Sequence, residues 1–161
     1  MRFNKYLFLS LFLSFNVSAL GVYPEVSAKI ISIANVGAVI DKGEVLVQLD
    51  DRQAKLQIKK LQAELKIKKQ SLDDLELEYE NALELYESTV IAKRKLDVAK
   101  IARDNAETEY NIKKIELEIA KIELEKYKIM APFKSKVISH SDKRNVTNIN
   151  SSKLLMMIEK E

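Results

Sequence analysis

Cysteine is absent from this chain of 161 residues, and glycine and proline occur only three and two times. Without cysteine there is no disulfide, no thiol nucleophile and none of the common structural zinc sites. The few glycines and prolines all lie outside the stretch from Asp51 to Ala131, a breaker-free run several times the ~12-residue mean helix. Aromatic residues make up 7% of the chain and charged residues 32%. A composition rich in Glu, Lys, Leu, Ile and Ala belongs to long helices or coiled coil. A dominant sign of charge is also missing. The net charge is +3, and basic residues alternate with acidic blocks instead of forming one patch, which argues against nucleic acid as a partner.

No hydrophobic run is long enough to span a bilayer. The apolar stretch from Tyr6 to Phe15 is about half of the ~20 residues required. It follows Arg2 and Lys5 and precedes Val17-Ser18-Ala19, the charge and small-residue pattern of a secretory signal peptide. Residues 1–19 are therefore expected to be a signal cut before Leu20. A retained anchor is the alternative, disfavoured by the short apolar run. No cysteine follows the run, which excludes lipoprotein anchoring, and the expected compartment in a Gram-negative cell is the periplasm.

Within the breaker-free region, Ala54, Ile58, Leu61, Leu65, Leu72, Leu75, Tyr79, Ala82 and Tyr86 follow steps of three and four, interrupted by Lys68. This is a heptad seam. Leu96, Ala99, Ala106, Tyr110, Leu117, Ala120, Leu124 and Tyr127 repeat it, interrupted by Arg103 and Lys113. A neighbouring stripe of Ile112, Ile115, Ile119 and Ile122 widens the apolar face, as a helix that also packs on a domain would need. Between the seams, Glu87-Ser88-Thr89-Val90-Ile91 are weak helix formers, which places a turn near residues 87–92. Charge order separates a hairpin from one continuous helix. Residues 52–69 carry seven bases and one acid, whereas residues 73–87 carry seven acids and no base. Folding back near Thr89 sets the acidic block against Lys93, Arg94, Lys95, Lys100 and Arg103. Two antiparallel arms follow, in a hairpin spanning residues 51–130.

The flanks read differently. Residues 20–50 are rich in β-branched side chains, punctuated by Pro24, Asn35, Gly37 and Asp41-Lys42-Gly43, the mix of short strands and tight turns. Asp50 or Asp51 is placed to cap the first helix. Pro132 is expected to stop the returning helix, and strand-like pieces follow at Lys136 to Ser139 and Leu154 to Ile158. Each flank, 20–50 and 131–161, falls below the ~40 residues usually needed to fold unaided. One split β-domain, closed by the hairpin, is the expected α+β architecture.

Two motifs then carry a family resemblance. Gly37-Ala38-Val39-Ile40-Asp41-Lys42-Gly43-Glu44-Val45-Leu46-Val47-Gln48-Leu49-Asp50 and Ile129-Met130-Ala131-Pro132-Phe133 stand at the two ends of the hairpin. They resemble the half-motifs of periplasmic adaptor subunits, or membrane fusion proteins, of RND-type efflux pumps and HlyD-like secretion systems. The resemblance implies a coiled-coil hairpin inserted into a split lipoyl-like (barrel-sandwich hybrid) domain. In it, Gly37 and Gly43 serve turns, and Val39, Val45, Leu46 and Leu49 fill the sandwich. Ala131 and Pro132 close the hairpin, and Phe133 is buried under its base. It also implies self-association in a ring, with an inner-membrane transporter and a TolC-type outer-membrane channel as partners. The tip residues Leu85, Tyr86, Ser88, Thr89, Val90, Ile91 and Ala92 would contact a partner. Of the Arg, Leu and Ser that channel-docking members carry around the tip, aligned on Asn81, Leu85 and Ala92, only Leu85 is kept. The family's later glycines are absent, and Asn145, Asn148 or Asn150 is expected to take the left-handed conformation in their place. The chain reads as a short form without the family's β-barrel and membrane-proximal domains.

Residues that would carry chemistry are scarce. His140 is the single histidine, in a polar stretch, and reads as a surface residue. Asp73 and Asp74 are consecutive on a helix and point apart. No glycine-rich phosphate loop occurs, and the hairpin occupies the loop where a biotin or lipoate lysine would stand. Neither enzymatic activity nor a cofactor or metal is expected. The alternatives to an adaptor are a periplasmic holdase chaperone of the Skp type and a truncated adaptor remnant without function. The first explains size and charge but neither motif.

Overall fold

A computed structural model describes residues 19–141 and 153–161. The expected signal segment up to Ser18 and the turns at Asn145, Asn148 and Asn150 lie outside these residues. In chain order the elements are β1 (Ala19–Val22), β2 (Ile30–Ile33), β3 (Val39–Ile40), β4 (Val45–Leu49), α1 (Arg52–Glu87) and α2 (Lys93–Glu125). They are followed by β5 (Lys128–Met130), β6 (Ser135–His140) and β7 (Met156–Lys160). The architecture is α+β: a helical hairpin inserted into a β-domain made of two small antiparallel sheets.

The helices have 36 and 33 residues, so each arm extends ~50 Å at 1.5 Å per residue. Every apolar seam position is buried or half-buried except Tyr86. Leu61 and Leu72 on α1, with Ala106 and Leu117 on α2, are the most deeply covered. The polar interruptions are accommodated by partners. Lys68 donates to Glu109 across the hairpin at 2.6 Å. Lys113 reaches Glu64 on α1 at 3.0 Å and Glu116 on its own helix at 2.6 Å. The guanidinium of Arg103 lies 4.7 Å from the ring centre of Tyr79, a cation–π contact that lets a charge occupy an apolar seam.

The isoleucine stripe is a correction. Ile112, Ile115, Ile119 and Ile122 do not pack on the β-domain; all four are more than half exposed. Their spacing places them on the side of α2 opposite the seam.

In the β-domain the first half cannot form either sheet alone. One sheet runs β1-β7-β6-β3 and the other β2-β4-β5, so each mixes strands from both sides of the hairpin. The motif glycines interlock the halves. Gly37 and Gly43 both have φ +84°, the left-handed region where a Cβ is strained. Their N–H groups donate to Val137 (2.8 Å) and Ala131 (2.9 Å) of the second half. Leu46, Val47, Leu49, Val137, Met156 and Ile158 are essentially water-free and form the core.

Three expectations change here. Val39 and Val45 do not fill the sandwich; they are 46% and 43% exposed. A register shift in β4 between Val45 and Val47 turns both Leu46 and Val47 inward and leaves Val45 outside. Secondly, α2 ends at Glu125 rather than near Pro132, and Lys128–Met130 is strand β5. The edge of β4 captures this backbone, with Leu49 donating to the Tyr127 carbonyl at 2.8 Å and β5 pairing along β4. Pro132 therefore follows a strand and is exposed. Thirdly, His140 is half-buried, its Nε2 2.5 Å from the Ala34 carbonyl. Phe133 packs, partly buried, against the core.

Candidate functional site

The end of the hairpin farthest from the β-domain is where an exposed surface of defined shape is built. Helix α1 closes with paired hydrogen bonds: the Thr89 N–H donates to Tyr86 O and the Val90 N–H to Leu85 O, both at 2.9 Å. This is the Schellman arrangement, in which the residue after the cap adopts a left-handed conformation. Thr89 does so with φ 61°, at a position where glycine is usual. Ser88 adds its own N–H and its hydroxyl to the Glu84 carbonyl at 3.0 and 2.9 Å. Ala92 is extended and opens α2, its carbonyl receiving the Lys95 N–H at 2.9 Å. A turn of five residues, 88–92, thus reverses the chain with its backbone largely hydrogen-bonded.

That closure pushes side chains outward. Leu85, Tyr86 and Val90 are exposed, Val90 by 67%. Ser88, Thr89 and Ala92 are exposed as well, whereas Ile91 is half-buried and serves the turn more than the surface. The tip is therefore a small apolar cap, below which the helix carries Glu80, Glu84 and Glu87 and the other arm Lys93, Arg94 and Lys95.

The structural set of residues is brought together at the opposite end. Gly37, Gly43, Leu46, Leu49 and Ala131 form one interlocked base, while Val39, Pro132 and Phe133 lie at its margins. Asp50 accepts the Arg52 guanidinium at 2.8 Å and its backbone N–H at 3.2 Å. These hydrogen bonds from Arg52 hold its carboxyl at about 2, below the usual carboxylate range. Asp51, at the cap position itself, makes no side-chain cap bond and instead pairs with Lys55 at 2.9 Å. Along the hairpin, Lys113 lowers the Glu64 carboxyl, and Glu116 with Glu64 raises the Lys113 ammonium. A shallow groove of about 450 Å³ runs beside Leu65, Lys69 and Tyr110. Sequence reasoning missed the partners of Lys68, Arg103 and Lys113, because an interruption in a seam does not name the residue opposite.

Among the described residues no cluster of His, Asp or Glu is arranged as a metal site, and no helix is long and apolar enough to cross a membrane.

No family model and no curated protein matches the sequence. Solved structures match the fold. The fold is that of the membrane fusion proteins, or periplasmic adaptors: a hairpin of two long helices set in a β-domain. MacA from Actinobacillus actinomycetemcomitans is similar over 89% of this chain and 51% of its own, at 22% identity and TM-score 0.53. ZneB from Cupriavidus metallidurans is similar over 88% and 60%, at 18% identity and TM-score 0.56. The periplasmic adaptor protein EmrA is similar over 89% and 72%, at 14% identity and TM-score 0.57. The chain thus spans about half the length of the solved MacA chain.

Proposed function

We propose that the protein is a non-enzymatic periplasmic adaptor, linking an inner-membrane transporter to an outer-membrane channel in efflux or secretion. Residues 1–19 act as its export signal, and copies of the chain associate around the substrate path. The observation that carries this reading is the apolar tip of Leu85, Tyr86 and Val90, held ~50 Å from the β-domain by a hairpin without catalytic groups. An exposed apolar cap at the end of a long rigid arm fits contact with another protein. The solved proteins that share the fold include one described as a periplasmic adaptor.

The test places a photo-crosslinker at Val90 and, separately, at Lys136 on the β-domain, in cells of the native organism. Crosslinking of an envelope channel or transport component from Val90 alone supports the reading. Unselective crosslinking of unfolded outer-membrane proteins from both positions overturns it in favour of a holdase. Crosslinking of no envelope component also overturns it.

A further inference from the structure

The groove on the shaft of the hairpin, about 450 Å³ in volume, is lined by Gln62, Leu65, Lys66, Lys69 and Gln70 of α1 and by Tyr110 of α2. The α1 residues are spaced by three and four, so they share one stripe of the helix, ~12 Å long at 1.5 Å per residue. Leu65 and Tyr110 belong to the two facing seams and are half-buried, whereas the other four side chains are exposed. Small-molecule sites of roughly 300–1,000 Å³ are built in the same way, from an apolar lining and a few polar groups.

The polar groups here have one bias. Lys66 and Lys69 bring ammonium groups, Gln62 and Gln70 bring amide donors, and no carboxylate is in the lining. Their availability differs. Lys69 is tied to Asp73 in an ion pair, and its Nζ lies 6.0 Å from the centre of the Tyr110 ring. The hydrogen bond to Asp73 raises the Lys69 ammonium, which stays charged but is largely neutralised by its partner. Among the described residues, Lys66 makes no ion pair. Neither Gln62 nor Gln70 makes a side-chain hydrogen bond there. Two acids of neighbouring turns are already engaged, Glu64 by Lys113 and Lys60 and Glu109 by Lys68. Gln62 and Lys66 stand one turn apart at the end of the stripe away from Asp73, which makes that end the place for a negative charge.

We propose that this groove binds a free amphiphilic monocarboxylate, its head held by Lys66 and the Gln62 amide and its apolar tail laid across Leu65 and Tyr110. Charge selects the class. A cation would meet two ammonium groups, and a neutral chain would gain no charge-assisted hydrogen bond from Lys66. A ligand in this place touches both helices, so it binds the closed hairpin and not separated arms, and it stabilises the hairpin by mass action. The site goes beyond the adaptor reading: it lies on the shaft, apart from the tip, and holds whether or not the tip meets a transport component.

The test uses the full chain and sodium decanoate below its micelle-forming concentration, with circular dichroism verifying that each variant keeps its helices. The chain has no tryptophan, so Tyr110→Trp places a single indole in the groove. Decanoate shifts its emission to the blue in a saturable way, while Tyr86→Trp at the tip shows no shift. Calorimetry on the unsubstituted chain measures binding without a reporter. Lys66→Gln weakens it by about threefold, and Asp73→Asn strengthens it by about the same factor by releasing Lys69. Hexanoate, with fewer methylenes to cover, binds roughly tenfold more weakly or worse, and decanol binds about threefold more weakly. A parent chain that takes up no decanoate, equal shifts at positions 86 and 110, an affinity indifferent to Lys66→Gln, to Asp73→Asn or to tail length, or decanol bound as tightly as decanoate overturns the proposal. Co-sedimentation with phosphatidylglycerol vesicles that Lys66→Gln abolishes also overturns it, in favour of a membrane contact.

Discussion

Thr89 is the one non-glycine residue with positive φ among the described residues, and a β-branched side chain is poorly suited to that region. The Schellman hydrogen bonds hold it there because they satisfy two N–H groups that the end of α1 would otherwise leave free. Asparagine tolerates the same conformation at lower cost. Thr89→Asn is therefore expected to raise stability by about 0.5–1 kcal/mol, read as an upward shift in the urea midpoint. Gly43 gives the converse case. A Cβ there would meet no heavy atom within 4 Å, yet φ is +84°, so Gly43→Ala loses about 1 kcal/mol through backbone strain alone. At Asp50 the effect is electrostatic. Folding lowers its carboxyl to about 2 through hydrogen bonds from Arg52. The resulting stabilisation is complete above the unfolded carboxylate range, ~4, and disappears as pH falls from there towards 2. Asp50→Asn should flatten the acid limb of a stability–pH profile in that window.

At the scale of elements, the hairpin is held by its seam far more than by its charges. Leu72 is 7% exposed between the helices, and Leu72→Ala should cost about 2–3 kcal/mol in denaturant unfolding. The ion pair of Lys68 is exposed and that of Lys113 with Glu64 partly so, and such pairs contribute little of that kind. Their effect is on register, since each fixes one residue of α1 opposite one of α2. The seam itself was readable from the steps of three and four, and the reversal from a cluster of weak helix formers. The end of α2 was not. Tyr127-Lys128-Ile129-Met130 would continue an amphipathic helix as readily as a strand, and only the unpaired edge of β4 draws it into a sheet.

For the whole molecule, the decisive fact is that neither sheet belongs to one side of the hairpin. The strands before the hairpin and those from Lys128 onward both contribute to each sheet and share one core around Leu46, Val137 and Ile158. Peptides of either flank alone should show no sheet signal by circular dichroism, and a chain ending after Tyr127 should keep its helical signal while losing the β-domain. The α-helices bring the two flanks to one place, and the flanks in turn clamp the open end of the hairpin. The tip at the far end is left free for contact.

What the sequence determined by itself was local: two heptad seams, the turn between them, and the glycines whose left-handed turns join the β-domain. Such features depend on residues a few positions apart, and periodicity records them directly. Tertiary structure alone decided that Val39 and Val45 face water, that α2 ends at Glu125 and gives way to a strand at Lys128, and that the isoleucine stripe stands uncovered. Each of these turns on which distant backbone or side chain lies opposite. A pattern along the chain marks a face as apolar, but the partner of that face is chosen in three dimensions.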